Sequence, residues 1–368
     1  MSTPLARHIC AQIRRRGPMS VAEFMALALT HPQWGYYMRR PALGARGDFI
    51  TAPEISQIFG ELVGLWCVQA WRALGAPAPF TLLELGPGRG QLMQDVLRVA
   101  DRQPDFAAAR RVGFWEVSQL ARQEQKQRVP RAVWLKGATP ADALAALGGL
   151  GALEAQPLLL LANEFFDALP IRQFCRERAG WAERALVLAR GRLQFGSMAL
   201  TAGLPSAASR PAAAPQEGDM LEYGEAACAL FAPLAQHMAE HGGAGLILDY
   251  GSAQTCYGDS LQSVRAHRMV GLLDAIGESD VSAHVQFAAL AATARAAGLS
   301  VAGPIAQGRF LCALGAPLRA RALMRAHPQA AEQIWQGLRR LIHPHAMGRL
   351  FRAMAFHSAA GAVEGFAA

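Results

Sequence analysis

The stretch "LLELGPGRGQL", residues 82–92, carries the first residues whose types and spacing could do chemistry. An apolar run ends in Glu84, and glycines follow at Gly86, Gly88 and Gly90. Glycines at such spacing let a backbone approach a ligand closely. A nicotinamide-dinucleotide turn requires GxGxxG, with the pyrophosphate at a helix N-terminus. Here position 91 is Gln, and Pro87 and Arg89 fill the gaps. An acid directly before the turn repels a pyrophosphate and suits a cation. S-adenosyl-L-methionine (SAM) has an α-ammonium and a sulfonium and no phosphate, so SAM is the expected cofactor. A dinucleotide oxidoreductase fails on the third glycine and on Glu84. The plain alternative for the glycines alone is a tight turn without a ligand.

A second acid, Glu116, ends the next strand-like run, "VGFWEVS". Ligands of open α/β sheets bind at the carboxyl ends of strands, near the switch in strand order. A carboxylate there can accept both ribose hydroxyls. The run "LLLLANEFFDALP" then delivers Asn163, Glu164, Phe165, Phe166 and Asp167 to the same edge. Asn163 is counted with the cofactor contacts. Two carboxylates flanked by two aromatics suit a cationic or planar acceptor. The competing explanation is a helix cap followed by a core Phe pair. The run "LILDYG" adds Asp249 and Tyr250.

His237-Met-Ala-Glu240-His241 matches H-x-x-E-H, the inverted zinc-protease pattern. No downstream acidic ligand in helical context accompanies it, so two exposed histidines and no metal are expected. The HPH at residues 343–345 reads as a turn. No G-x-S-x-G elbow or P-loop is present.

These residues need elements to hold them. Short apolar runs from residue 80 onward ("FTLLEL", "VGFWEV", "AVWL", "PLLLLANEFF", "GLILDYG") alternate with helical stretches. Runs apolar on both faces predict a buried, mostly parallel sheet. Residues 4–30 have helical spacing, with Val21, Phe24, Met25 and Ala28 on one face. Thr51-Ala-Pro-Glu54 reads as a capping box. The helix it opens has a broad apolar face of Ile55, Ile58, Phe59, Leu62, Leu65, Trp66 and Trp71. Residues 201–218, rich in Ala, Pro and Ser, read as an exposed loop, and "LFRAMAFHS" as a last edge strand.

With 368 residues, 52% hydrophobic and 17% charged, the chain is a folded globular protein and not a disordered one. The net charge is +8, but its arginines are spread. The denser runs, Arg14–Arg16 and Arg319–Arg352, read as solvated helix faces or a docking surface for an acidic partner. No nucleic-acid-binding signature accompanies them. The six cysteines form no CxxC pair, which fits a reducing cytosol. No apolar run reaches the roughly 20 residues of a membrane helix, and the first residues lack the apolar core of a secretory signal.

Apolar-Glu-x-Gly-x-Gly-x-Gly resembles motif I of class I methyltransferases. With "GPMSVAEFMALALTHPQWGYYM", "GDFITAPEISQIFGELVGLW", "ANEFFDALPIRQF", "LILDYG" and "LQSVRAHRMV…ESDVSAHVQFAALA", the chain resembles the MidA family of SAM-dependent methyltransferases from about residue 17 to 315. Its mitochondrial members are assembly factors for respiratory complex I. The resemblance implies an α/β class I methyltransferase (Rossmann-like) fold with a helical N-terminal cap and substrate-side insertions. The expected divisions are a cap at 1–76, core at 77–175, an insertion at 176–243, core at 244–316 and a C-terminal segment at 317–368. It implies symmetric ω-N-dimethylation of an arginine in a complex I subunit-like protein. Gly86, Gly88 and Gly90 would line SAM, with Glu84 and Glu116 as polar anchors. Residues Gly47-Asp48-Phe49-Ile50-Thr51 would close over cofactor or acceptor, with Asp48 and Thr51 toward the substrate. The chain departs from relatives at Gly271, Ile276, Ser282 and Gln286, in the presumed acceptor region.

Methyl transfer by in-line displacement needs positioning and desolvation more than a strong base. A guanidinium stays charged at neutral pH. Glu164 and Asp167 are the expected catalytic residues that orient it, Phe165 and Phe166 form a dry wall, and Asp249 lies on the substrate side. The alternative function is a non-catalytic assembly factor with a structural or vestigial SAM site. The expected location is the cytosol of a bacterium, or the mitochondrial matrix if the chain is eukaryotic.

Overall fold

The computed structural model describes residues 3–39, 50–135, 156–200, 203–204, 211–359, 361 and 363–366. The chain divides into two compact units, each built from three separate stretches. One comprises Ile50–Phe165, Leu230–Gly251 and Ala291–Ala368; the other comprises Met1–Phe49, Phe166–Ala229 and Ser252–Leu290.

The first unit is built on a sheet of β1 (Phe80–Leu85), β2 (Arg110–Trp115), β3 (Val133–Leu135), β4 (Leu158–Asn163), β5 (Gly243–Ser252), β6 (Ser300–Ala306) and β7 (Phe351–His357). These lie in the order β3-β2-β1-β4-β5-β7-β6. Strands β1 to β5 are parallel, and β7 is antiparallel to both its neighbours. Every residue of β1 and β4 is buried, as the apolar runs predict for a parallel sheet covered on both faces. The chain winds from β1 outward through β2 and β3, then returns to β4 on the other side of β1. That reversal makes a switch point between β1 and β4, where the carboxyl ends of strands part to admit a ligand.

Helices at Gln57–Ala73, Gln91–Ala100 and Ala316–Ala326 belong to this unit. Phe106 packs edge-to-face on Trp71 and on Phe80, with centroids 5.4 and 5.0 Å apart, a geometry that adds to their burial. Arg319 makes a two-pronged ion pair with buried Glu61, at 2.7 and 3.0 Å. This part of the basic C-terminal run therefore holds helices together and is not only a solvated face. No helix among the described residues is long and apolar enough to cross a membrane.

Three local expectations are corrected here. The capping box at Thr51–Glu54 does not form: Thr51 makes no side-chain cap bond, and the turn closes through the Glu54 N–H to the Thr51 carbonyl at 2.9 Å. The helix breaks at Ser56 and restarts at Gln57, which turns Leu65 outward to 46% exposure. Strand β7 is not an edge, because β6 pairs along its outer side. Only 203–204 and 211–218 of the loop expected at 201–218 are among the described residues; they carry no helix or strand.

In the second unit the helical pattern over 4–30 is two helices. Pro4–Arg16 is capped by Thr3 and ends at Gly17, with φ +88°. Val21–Thr30 begins with a reciprocal Ser20–Glu23 capping box. Within this unit a long strand, Gly180–Ala189, pairs with Arg172–Glu177, Arg192–Met198 and Met19–Ser20. A smaller sheet centres on Gln262–Arg265. Its core gathers Leu5, Ile9, Phe24, Met25, Leu186 and Val281.

Candidate functional site

The switch point of the parallel sheet collects the residues singled out by their chemistry. Registers set this directly: Glu84 pairs across with Phe114 on β2 and Leu161 on β4, so Glu116 and Asn163 end at the same level. Beyond β1, Gly86, Gly88 and Gly90 all take positive φ, at +58°, +54° and +79°. Only glycine adopts such a run without strain. A Cβ at Gly86 would lie 2.6 Å from the Phe165 ring, so that ring and the bare turn pack face to face. Gly90 opens the helix Gln91–Ala100 with no side-chain cap.

Glu84 is 2% exposed. Its Oε2 has no hydrogen-bond partner among the described residues. Burial, and then the nearby Glu116, push its pKa up to about 8. A carboxyl so placed lacks a cation. Glu116 is also buried, but better supplied. Its Oε1 accepts the Ser118 N–H at 2.7 Å and its Oε2 accepts from Gln125 Nε2 at 3.0 Å. Burial raises its pKa, and these two donors pull against that. Each oxygen keeps a lone pair for a diol.

At the end of β4, Asn163 and Glu164 stand beside the turn. Glu164 has φ +50°, a conformation that non-glycine residues adopt mainly where surroundings force it. Its Oε1 accepts the Ala52 N–H at 3.0 Å and lies 3.4 Å from Asn163 Nδ2. Asn163 Oδ1 is buried without a partner among the described residues. Phe165 stacks obliquely on Trp115, 5.7 Å between centroids. Asp249 is fully buried; Oδ2 accepts the Phe165 N–H at 3.1 Å and Oδ1 the Tyr250 N–H at 2.9 Å. It therefore holds the 164–165 backbone.

Other expected partners fall in different units. Phe166 and Asp167, both buried, start a short 3-10 turn in the second unit. There the Asp167 carbonyl accepts the Ala283 N–H at 3.0 Å. Asp167 lies near Tyr37, whose hydroxyl donates to Asp280 at 2.9 Å. Burial, then Asp280 and Asp167, raise the Tyr37 pKa well above its usual range. Glu164 and Asp167, three residues apart, thus belong to different units. Thr51 is buried at the start of the turn Ala52–Ile55, and Asp48 is outside the described residues. His237 is half-buried and within 2.9 Å of the Gln156 carbonyl, so it is not the exposed histidine expected from its motif.

Two residues went unnoticed in the sequence. Arg89, inside the glycine turn, ion-pairs with Glu124 at 2.6 Å and reaches Glu54 at 3.4 Å. Gln125 is the single buried residue of the polar helix Gln119–Arg128, and it bonds both the turn and Glu116. A glutamine on so polar a helix carries no pattern to mark it.

The assembly suits a ligand with a cationic end and a ribose. A buried carboxyl with one oxygen unpartnered among the described residues, a cradle that a side chain would fill, and a hydrogen-bonded carboxylate fit SAM.

Comparison with known proteins agrees. The family described as "Putative S-adenosyl-L-methionine-dependent methyltransferase" matches residues 62–305. The protein arginine methyltransferase NDUFAF7, mitochondrial, of Mus musculus is 36% identical over 375 aligned residues, covering 96% of this chain and 84% of its own. The Homo sapiens protein of that name is 35% identical, covering 96% and 83%. The crystal structure of a COG1565 superfamily member from Burkholderia thailandensis, bound to S-adenosyl-homocysteine, superposes with a TM-score of 0.84 at 26% identity. The match covers 99% of this chain and 94% of that one.

Proposed function

The chain belongs to this family of SAM-dependent methyltransferases, and from that premise we propose that it methylates arginine nitrogens of a protein acceptor. The observation that carries the site is Glu84, whose buried Oε2 has no partner among the described residues, beside three glycines of positive φ. When bound, SAM supplies an electrophilic methyl group. Glu84 would hold the α-ammonium, and Glu116 would hold the ribose hydroxyls. The Gly86–Gly90 backbone and the Phe165 ring exclude water from the space between. The relatives named protein arginine methyltransferases, about 35% identical over nearly the whole chain, support arginine as the target.

Glu164 directly follows β4, and we assign it the task of orienting the acceptor guanidinium. A guanidinium requires no strong base so much as a fixed anion that localises its charge. Asp167, Asp48 and Thr51 are assigned to acceptor binding. The finer reading is symmetric dimethylation of a respiratory complex I subunit-like protein, in the cytosol of a bacterial cell.

The test is incubation of the purified protein with SAM and arginine-containing peptides or cell extract, followed by mass spectrometry. The expected products carry one and two added methyl groups on arginine. Methyl groups found only on oxygen, sulfur or lysine would reject arginine as the target.

A further inference from the structure

Gln125 makes three bonds that fix its amide in one orientation. Nε2 donates to the Gly88 carbonyl at 2.7 Å and to Glu116 Oε2 at 3.0 Å. Oε1 accepts from Trp134 Nε1 at 2.7 Å. An indole N–H can only donate, so a flipped amide would set donor against donor and acceptor against acceptor. All the hydrogen-bonding capacity of the amide's N–H groups goes to two parts of one site. The Gly88 carbonyl belongs to the turn, and Glu116 is the ribose acid at the end of β2. The helix backbone presses the same turn: a Cβ at Gly90 would lie 3.4 Å from Gln125 Cα. Gln125 is fully buried, although its helix buries no other residue.

We propose that Gln125 is a positioning residue that holds the glycine turn and the Glu116 carboxylate in fixed register, and so sets affinity for the adenosine half of the cofactor. This rests on the cofactor reading above. Trp134 acts behind it by locking the amide. Without Gln125, the part-buried Gly88 carbonyl and the buried Glu116 Oε2 lose this donor, and Glu116 is free to turn from the ribose.

The test is calorimetric titration of S-adenosyl-homocysteine, and separately of adenosine, between about pH 6 and about pH 9. The proteins are wild type, Q125L, Q125E and W134F, each checked for native circular dichroism. Q125L should weaken both ligands by about ten- to a hundredfold, the consequence of buried acceptors left unpaired. Q125E should bind poorly at high pH, where a new carboxylate faces Glu116 and the Gly88 carbonyl. It should recover toward wild type as pH falls, because a proton between the two carboxyls restores a donor. A merely structural role would give a deficit that ignores pH. W134F keeps both N–H donors and should lose less than Q125L. Folded Q125L and Q125E that bind like wild type would overturn the proposal alone, as would a pH-independent Q125E deficit. A wild-type protein that binds neither ligand would overturn the cofactor reading with it.

Discussion

The Glu164 carboxylate accepts the backbone N–H of Ala52 at 3.0 Å, across 112 positions of sequence. It supplies the helix-capping acceptor that Thr51 does not. Glu54, two residues on, reaches Arg89 in the glycine turn. The segment after residue 50 is therefore tied both to Glu164 and to the glycine turn.

Replacing Glu164 with Gln keeps an acceptor oxygen for Ala52 but removes the charge. We predict that S-adenosyl-homocysteine affinity changes less than about threefold while turnover falls by about a hundredfold or more. Stopped assays of methyl transfer, with calorimetry for binding, separate the two. Unchanged turnover removes Glu164 from the acceptor role. Glu164→Ala should in addition lower stability by about 1–2 kcal/mol through loss of the cap, read from urea denaturation.

Glu84 predicts a pH dependence. Its pKa is raised from an ordinary carboxyl value to about 8 in the free protein. The folded state thus holds a proton that the unfolded state has lost. That contribution to stability is fully present below the unfolded pKa and disappears as pH rises through the folded one. Stability should decline between about pH 4.5 and about pH 8, and Glu84→Gln should flatten this slope. Binding a ligand with an α-ammonium near pH 7 should expel the Glu84 proton. Calorimetry in buffers of different ionisation enthalpy should detect proton release in wild type and not in Glu84→Gln.

The turn tolerates no side chains. Gly86→Ala would drive a Cβ to 2.6 Å from Phe165 at a φ of +58°. We expect a loss of about 1–3 kcal/mol of stability and a fall in cofactor affinity. A Gly86→Ala/Phe165→Leu double variant should regain part of the packing loss but not the backbone strain. Full recovery would mean that φ at residue 86 carries no cost. Thermal melts with and without S-adenosyl-homocysteine distinguish these outcomes.

Tyr37, buried beside Asp280 and Asp167, stays protonated in the fold to higher pH than in the unfolded chain. Its contribution is present below the unfolded pKa and lost as pH rises through the folded one. Stability should therefore drop steeply above about pH 10. Tyr37→Phe should soften that drop while costing about 1 kcal/mol at neutral pH through the lost bond to Asp280. Equal alkaline slopes in both proteins would contradict the assignment.

Much of the strand-end cluster was legible because its signals are local. Glu84 lies in an apolar strand, the glycines and Glu116 follow strands directly, and strand ends in a parallel sheet converge by register. What failed to show was long-range competition. Thr51–Glu54 has the residues of a capping box, yet the Glu54 N–H goes to the Thr51 carbonyl and the Glu54 side chain reaches Arg89 in the glycine turn. Asp167 follows Glu164 closely in sequence, yet the chain changes unit at Phe166. Strand β7 looked like an edge because nothing in "LFRAMAFHS" reveals that β6 lies outside it. Gln125 lacked any periodic mark, since its importance comes from bonds to other elements and not from its own helix.

The most direct measurement is calorimetric titration of SAM, with NADH as control, into wild type and Gly88→Val. The account predicts saturable SAM binding with no NADH binding, and loss of SAM binding in a folded Gly88→Val. Equal SAM binding by both proteins, or no SAM binding by folded wild type, would contradict it.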